Sequence, residues 1–333
     1  MLDLASYAVF FLVTALGFTL ICLGLNLQWG FTGLFNAGVA GFVAVGAYVS
    51  AILTTPASAQ HLGGFGLPIA IGWLGGAVAA AAAAAIVGVA TLRLRSDYLA
   101  ITTFGIAASL LAVAQNAHSI TGGPFGIAFI PRPFAELSDR PVLYDTVYLA
   151  LMAVLVGIVF LGLERLLHSP WGRALKAIRE NEIAAAALGK DPRRFRLEAF
   201  VMGSAVMGLA GAAEAHFVGF IAPDEFLPIL TFQAWAMLIV GGSGNNRGAV
   251  LGSLVVWILW SASGTVMHGL LPADLQVRGA ALQIVLIGVL LAAMLVLRPR
   301  GLVGERIIVS RHIIAADRDA GAVPGPTSTG EVP

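Results

Sequence analysis

The sequence predicts an all-α integral membrane protein, a polytopic bundle of about eight to ten transmembrane helices with glycine-broken segments. Three observations carry this. Hydrophobic residues make up 58% of the 333-residue chain and charged residues only 11%, where a soluble domain carries roughly 25% charged residues. Apolar runs recur along the chain at the length of a membrane-crossing helix, about 20 residues. No run shows the alternation, over roughly ten residues, that marks a membrane barrel. The single cysteine, Cys22, leaves neither a disulfide framework nor a thiolate metal site, and no metal or nucleic-acid partner is expected.

Candidate spans lie at about 7–25, 33–54, 67–92, 97–117, 144–164, 197–222, 228–241, 247–267 and 279–298. The first has no basic region before it, Asp3 being the only charge there, so it reads as a retained span and not a cleaved signal. From Gly24 to Tyr48 the chain reads GLNLQWGFTGLFNAGVAGFVAVGAY, in which Asn26, Gln28, Thr32 and Asn36 interrupt an apolar region threaded with glycines. Broken helices are tolerated in lipid only where they face protein or a water-lined path, and transporters use such breaks to point helix ends at a solute. Asn26, Gly33, Asn36, Gly38 and Gly41 are therefore candidates for a substrate pathway. The competing reading is that Gly38, Gly41 and the small residues between them form a packing face.

The third span contains the run Ala79–Ala85, filler that lets neighbouring helices approach. The fourth closes on Gln115, Asn116 and His118, read as interfacial polar residues. In the sixth, Glu214 and His216 stand out, because a carboxylate within a span is expensive. Glu214 lies past the midpoint, where it would reach headgroups or water, while Ser204, Gly208 and Ala212 share a face suited to a helix contact. The seventh is short and reads as a partial crossing. After it, LIVGGSGNNRGAVLG (Leu238 to Gly252) reads as a turn around Arg247. It is not a phosphate loop, since no GxxxxGK[ST] occurs in the chain, so an ATP-driven machine would borrow its ATPase. Residues 305–333 read as a disordered cytoplasmic tail after a single transmembrane domain, 1–304.

Between the fifth and sixth spans lies SPWGRALKAIRENEIAAAALGKDPRRFR, Ser169 to Arg196. With Arg165 it holds eight of the chain's 19 Lys and Arg. Arg173, Lys176, Arg179 and Glu180 fall at spacings of three and four, and Gly172 to Leu188 reads as one helix. Its alanines and leucines give an apolar side that anionic lipid or a partner protein would cover. Lys and Arg resist translocation, so this loop, Arg93 and Arg95, and the arginines after residue 297 share the cytoplasmic side. Nine spans with the N-terminus outside and the C-terminus inside satisfy most of this. A loop of this kind implies a docking surface, and so transport powered from the cytoplasm.

These residues carry a resemblance. GFTGLFNAGVAGFVAVGAY, LRLRSDYLAITTFG, SITGGPFGI, SPWGRALKAIRENEIAAAALG and the closing LRPRGLVG resemble the permease subunits of branched-chain amino acid ABC importers, LivM type, over about residues 17–304. The resemblance implies a second, LivH-like permease, two cytoplasmic ATPases that carry ATP and Mg, and a periplasmic solute-binding protein in a bacterial inner membrane. This chain itself would hold no cofactor and no catalytic residue. It implies that Gly172 to Glu182, with Arg173, Ala174, Lys176, Ala177, Arg179 and Glu180, is the coupling helix, and that Glu182 to Gly189 is the short importer signature. The later Ile-x-Leu-Pro part of the broader signature is absent. Val39 and Asn36 stand where many relatives have histidine and serine, and Ile106 to Ser109 reads IAAS where Glu or Gln is frequent. Cargo therefore stays open between branched-chain amino acids and other amino acids, amides or urea-like solutes. The alternative is a self-contained secondary carrier or channel, which would need charged residues in mid-span, and only Glu214 offers one. An intramembrane enzyme would need paired acids or histidines at one depth, and the sequence shows none.

Overall fold

A computed structural model describes residues 2–58, 61–94, 96–137, 140–270, 276–298 and 300–305. The expected tail at 306–333 lies outside the described residues. Helix α1 (Leu2–Leu25) runs into a π-helical turn, Asn26–Gly30, and the chain then leaves helix until α2 (Val39–Thr54). The expected span 33–54 is therefore helical only from Val39. Gly33 adopts a positive φ of 72°, which an α-helix cannot contain. The Asn36 side chain also accepts a hydrogen bond from the Gly38 N–H at 2.8 Å, taking that group from the helix ladder.

The remaining helices are α3 (Ile69–Thr91), α4 (Ser96–Asn116), the single turn α5 (His118–Thr121), α6 (Pro141–His168), α7 (Pro170–Glu180), α8 (Glu182–Ala187), α9 (Pro192–Val218), α10 (Pro228–Gly241), α11 (Asn246–Leu270) and α12 (Gln276–Leu297). Seven helices among the described residues are long and apolar enough to cross a membrane, and α2, with 16 residues, is apolar but shorter. The one strand pairing among the described residues is a ribbon of two residues on each side, β1 (Ile127–Ala128) against β2 (Phe220–Ile221), which the sequence reading did not anticipate.

Contacts along the helices fix their directions. Thr14 and Gly17 of α1 lie beside Glu214, Gly24 beside Gly203, and Gly30 beside Arg179. The chain therefore descends along α1 from the ribbon end to the end that carries α7. It turns back through residues 31–38, and α2 starts well inside the bundle. There Gly38 meets Thr103 of α4 and the Asn36 carbonyl accepts from the Trp235 indole at 3.0 Å. Helix α2 then climbs to the ribbon end, where Tyr48 packs on Phe226. The start of α1 and the Gly301–Glu305 segment thus lie at opposite ends.

Helix α9 is the centre of the bundle and packs on α1, α2 and α3. Its small residues allow this: Gly208 meets Gly46 of α2 backbone to backbone, and a Cβ on Gly76 of α3 would lie 2.5 Å from the Gly46 carbonyl. Without a hydrophobic drive between helices in lipid, such close approach supplies the association through packing. The face of Ser204, Gly208 and Ala212 is a helix contact, as read from the sequence. Ser204 also accepts from Gln28 Nε2 at 3.0 Å.

Candidate functional site: the basic helix pair and the broken helix

The basic loop is helical but is two helices and not the single one read from Gly172 to Leu188. Ser169 caps α7, its hydroxyl accepting from the Trp171 N–H, and Pro170 occupies the first turn, where no N–H is missed. Asn181 leaves helical geometry (φ −153°, ψ 99°), and its side chain accepts from the Ala184 N–H at 3.0 Å. That cap ends α7 and starts α8 in the same residue. Asp191 caps α9, accepting from the N–H groups of Arg193 and Arg194. Gly189 bridges the two with a positive φ of 76°.

The two helices present distinct faces. Gly172, Ala174, Leu175 and Ile178 are buried against the bundle, and a side chain on Gly172 would strike the Leu167 carbonyl. Lys176 and Arg179 also turn toward the body of the protein. Arg173, Ala177, Glu180, Glu182 and Gly189 are exposed, together with Ile183 at 83% and Leu188 at 81%. Glu182 pairs with Arg196 at 2.9 Å, and Glu198 receives both the Trp171 indole at 2.7 Å and Arg194 at 2.9 Å, so the loop is braced on the start of α9.

Sequence reasoning missed the partner of the inward-facing cations. Glu305, assigned there to a free tail, is seated against α7: it pairs with Arg179 at 2.7 Å and with Lys176 at 3.4 Å. The strap that delivers it, Gly301–Glu305, docks by its backbone. The Leu302 and Val303 N–H groups donate to the Val240 and Gly241 carbonyls, each at 2.9 Å. Arg179 donates to the Gly30 carbonyl, at the end of the π-helical turn, and to Glu180. Burial opposes the charge of this guanidinium, but its hydrogen bonds to Glu180 and Glu305 outweigh that and hold its pKa above the ordinary arginine value. Lys176 sits 5.4 Å from the Phe31 ring centroid, a cation–π distance. The one signal for this in the sequence was LRPRGLVG, quoted for the resemblance without a role.

The polar residues of the broken helix are engaged within the chain. Asn26 is fully buried, donates to Asn246 Oδ1 at 3.0 Å and accepts from the Gly244 N–H at 2.9 Å, while Asn246 donates to Glu164 at 3.0 Å. Asn36, also fully buried, donates to Gln28 Oε1 at 2.8 Å, and Gln28 in turn donates to the Phe200 carbonyl at 2.8 Å. Gly38 and Gly41 lie on α4, where a Cβ would come 2.5 Å from the Thr103 carbonyl and 3.0 Å from Ala107 respectively. Gly33 faces only Arg179. In this conformation Asn26 ties the π-helical turn to the 242–246 loop, and Gly38 and Gly41 form the packing face weighed as the alternative to a pathway. Val39 is buried too, so of the departures noted above only the Ile106–Ser109 stretch is partly exposed.

The described residues thus combine a broken first crossing, a braced pair of short helices and a strap that joins the two. A family model described as "Branched-chain amino acid transport system / permease component" matches residues 7–296. The chain belongs to that permease family. It is 33% identical over 310 residues to the high-affinity branched-chain amino acid transport permease LivM of Escherichia coli K12, covering 86% of this chain and 67% of the relative. It is 27% identical to the probable LivM permease of Methanocaldococcus jannaschii, over 87% of this chain and 91% of the relative. The Escherichia coli K12 LivH permease is 25% identical over 75% of this chain and 82% of the relative. No solved structure matches significantly. This permease is thus an ABC transport component and not an enzyme, and likeness to both LivM and LivH implies a permease pair.

Proposed function

We propose that this permease works beside a LivH-like partner in a bacterial inner membrane and imports branched-chain amino acids or related small polar solutes. Two cytoplasmic ABC ATPases hold ATP and Mg, and a periplasmic binding protein delivers the solute. The α7–α8 pair is the coupling element, so the end bearing it and the strap is cytoplasmic and the ribbon end faces the binding protein. The observation that carries the reading is the exposed face of α7–α8. Ile183 and Leu188 stand clear of the bundle on a two-helix knob that Arg173 flanks, at the end where the basic residues concentrate. Large apolar side chains held this far into water mark a protein contact, and anchors of this type concentrate binding energy.

The test replaces Ile183 and Leu188 together with Asp in the assembled transporter. Neither side chain packs in the core, so the permease pair is expected to fold and to purify without its ATPases, and uptake is expected to stop. ATPase co-purification at the parental level would refute the docking assignment. Arg173→Glu, expected to weaken the same contact without removing it, gives an intermediate point.

A further inference from the structure

A cavity of about 260 Å³ lies between α1, α2, α9 and α10, on the ribbon side of the bundle. Its wall is mostly hydrocarbon, supplied by Phe18, Ile21, Val43, Phe226 and Leu230, but two carboxylates, Glu214 and Glu225, reach it. Glu214 projects from α9 toward α1. Its Oε1 has one weak contact, with the Thr14 hydroxyl at 3.5 Å, and its Oε2 is buried with no hydrogen-bond partner among the described residues. Gly17 keeps that position open, since a Cβ there would come 2.9 Å from Glu214 Oε2. Glu225 is exposed at the cavity mouth, on the 3-10 turn Pro223–Phe226. No Lys, Arg or His is among the described lining residues.

An intramembrane carboxylate with an unused oxygen calls for a partner, and leaving a buried charge unpaired is strongly destabilising. No described residue supplies one, which leaves room for a partner from outside the chain. A hard metal ion is a poor fit, because such ions take six or more oxygen ligands, and the lining offers two carboxylates and the Thr14 hydroxyl. A cation that carries its own hydrocarbon suits both halves of the lining. The volume, just below the ~300 Å³ lower end for drug-sized ligands, suits one small molecule. We propose that this cavity binds the primary ammonium group of a small aliphatic solute, with Glu214 at the base and Glu225 at the mouth as its counter-charges and the apolar wall holding its carbon chain. The identity of that solute as an amino acid rests on the importer reading above; the amine site itself does not.

The experiment has two arms, both on the full permease pair. In the first, Leu230→Cys in a Cys22→Ala background is labelled with a thiol reagent. L-Leucine and 3-methylbutylamine are expected to slow labelling, and 4-methylpentanoate, which has the same carbon skeleton and no amine, is not. Glu214→Gln, which keeps shape and hydrogen-bonding capacity but not charge, is expected to abolish the protection. Equal effects of all three compounds would show a site that reads hydrocarbon alone, and no effect of either amine would show no amine site; either overturns the proposal. In the second arm, leucine uptake with the binding protein and ATPases is expected to fall about tenfold or more in Glu214→Gln, the size of a lost charge-assisted contact, with less loss in Glu225→Gln and assembly unchanged. Parental uptake in both variants overturns the proposal. A parent that imports no amino acid while amines still protect Leu230→Cys overturns the cargo reading and leaves the amine site standing.

Discussion

Removing the carboxylate of Glu305 is expected to release the strap from α7 and so loosen the link between the α7–α8 pair and the broken first crossing. The side chains of Glu305, Arg179 and Lys176 are 25%, 23% and 34% exposed. Fully exposed ion pairs contribute about 0–1 kcal/mol, and breaking a fully buried one costs about 3–5 kcal/mol. An intermediate pair to Arg179, with little added by the more exposed Lys176, places Glu305→Ala near 2 kcal/mol, a shift of roughly 30-fold in the ratio of seated to released strap. The Leu302 and Val303 amides report this directly, because their hydrogen bonds to Val240 and Gly241 exist only while the strap is seated. Their hydrogen exchange in the intact permease pair is expected to speed up by about that factor, limited by opening. ATP consumed per solute imported is expected to rise, and the swap Glu305→Arg with Arg179→Glu to recover part of the loss. Unchanged exchange at both amides in Glu305→Ala would refute the reasoning, since the backbone bonds would then hold the strap without the charge.

Asn26→Leu removes two buried hydrogen bonds and leaves Asn246 and the Gly244 N–H short of a partner, so a thermal melt of the detergent complex is expected to show a loss of about 2 kcal/mol or more. Gly38→Leu drives a side chain into the Thr103 carbonyl and is expected to lower the yield of monodisperse permease; full yield with transport lost in both variants would return this segment to the pathway reading. Lys190→Cys and Phe125→Cys, single cysteines in a Cys22→Ala background, are expected to react with an impermeant reagent from opposite sides of the membrane, and reaction from one side would refute the alternation of helix directions.

How much of this the sequence revealed depended on whether the cause was local. The break between α1 and α2 was legible, because Gly33 and the asparagines act within a few residues of themselves, although the start of α2 at Val39 depends on Asn36 capturing the Gly38 N–H. The division of α7 from α8 was missed for a similar reason of scale: residues on both sides of Asn181 favour helix and are helical, and the break rests on that one residue leaving helical geometry to cap α8. What the sequence did not reveal is long-range. Asn26 reads as a polar interruption until Asn246 and Gly244, some 220 residues on, are seen to satisfy it. Glu214 was read as reaching headgroups or water, whereas it lies against Thr14 and Gly17 of α1 with its Oε2 buried. Glu305 carried no periodic or compositional mark, and only the docking of the strap brings it to Arg179.

The crossing of Gly46, Gly76 and Gly208 bears on how the permease moves. Where backbones touch there are no interlocking side chains to re-seat by rotamer changes, and any separation of α2, α3 and α9 would open a gap that neither lipid nor water fills at small displacements. These three helices are therefore expected to travel as one rigid raft. The raft contributes one side of the cavity, through Val43 and the Glu214 face, and α10 and the Pro223–Phe226 turn contribute the other. Relative motion then falls on the seam where the Glu214 cavity lies, so a push on α7, at the foot of α9, would change the width of the cavity without deforming either wall.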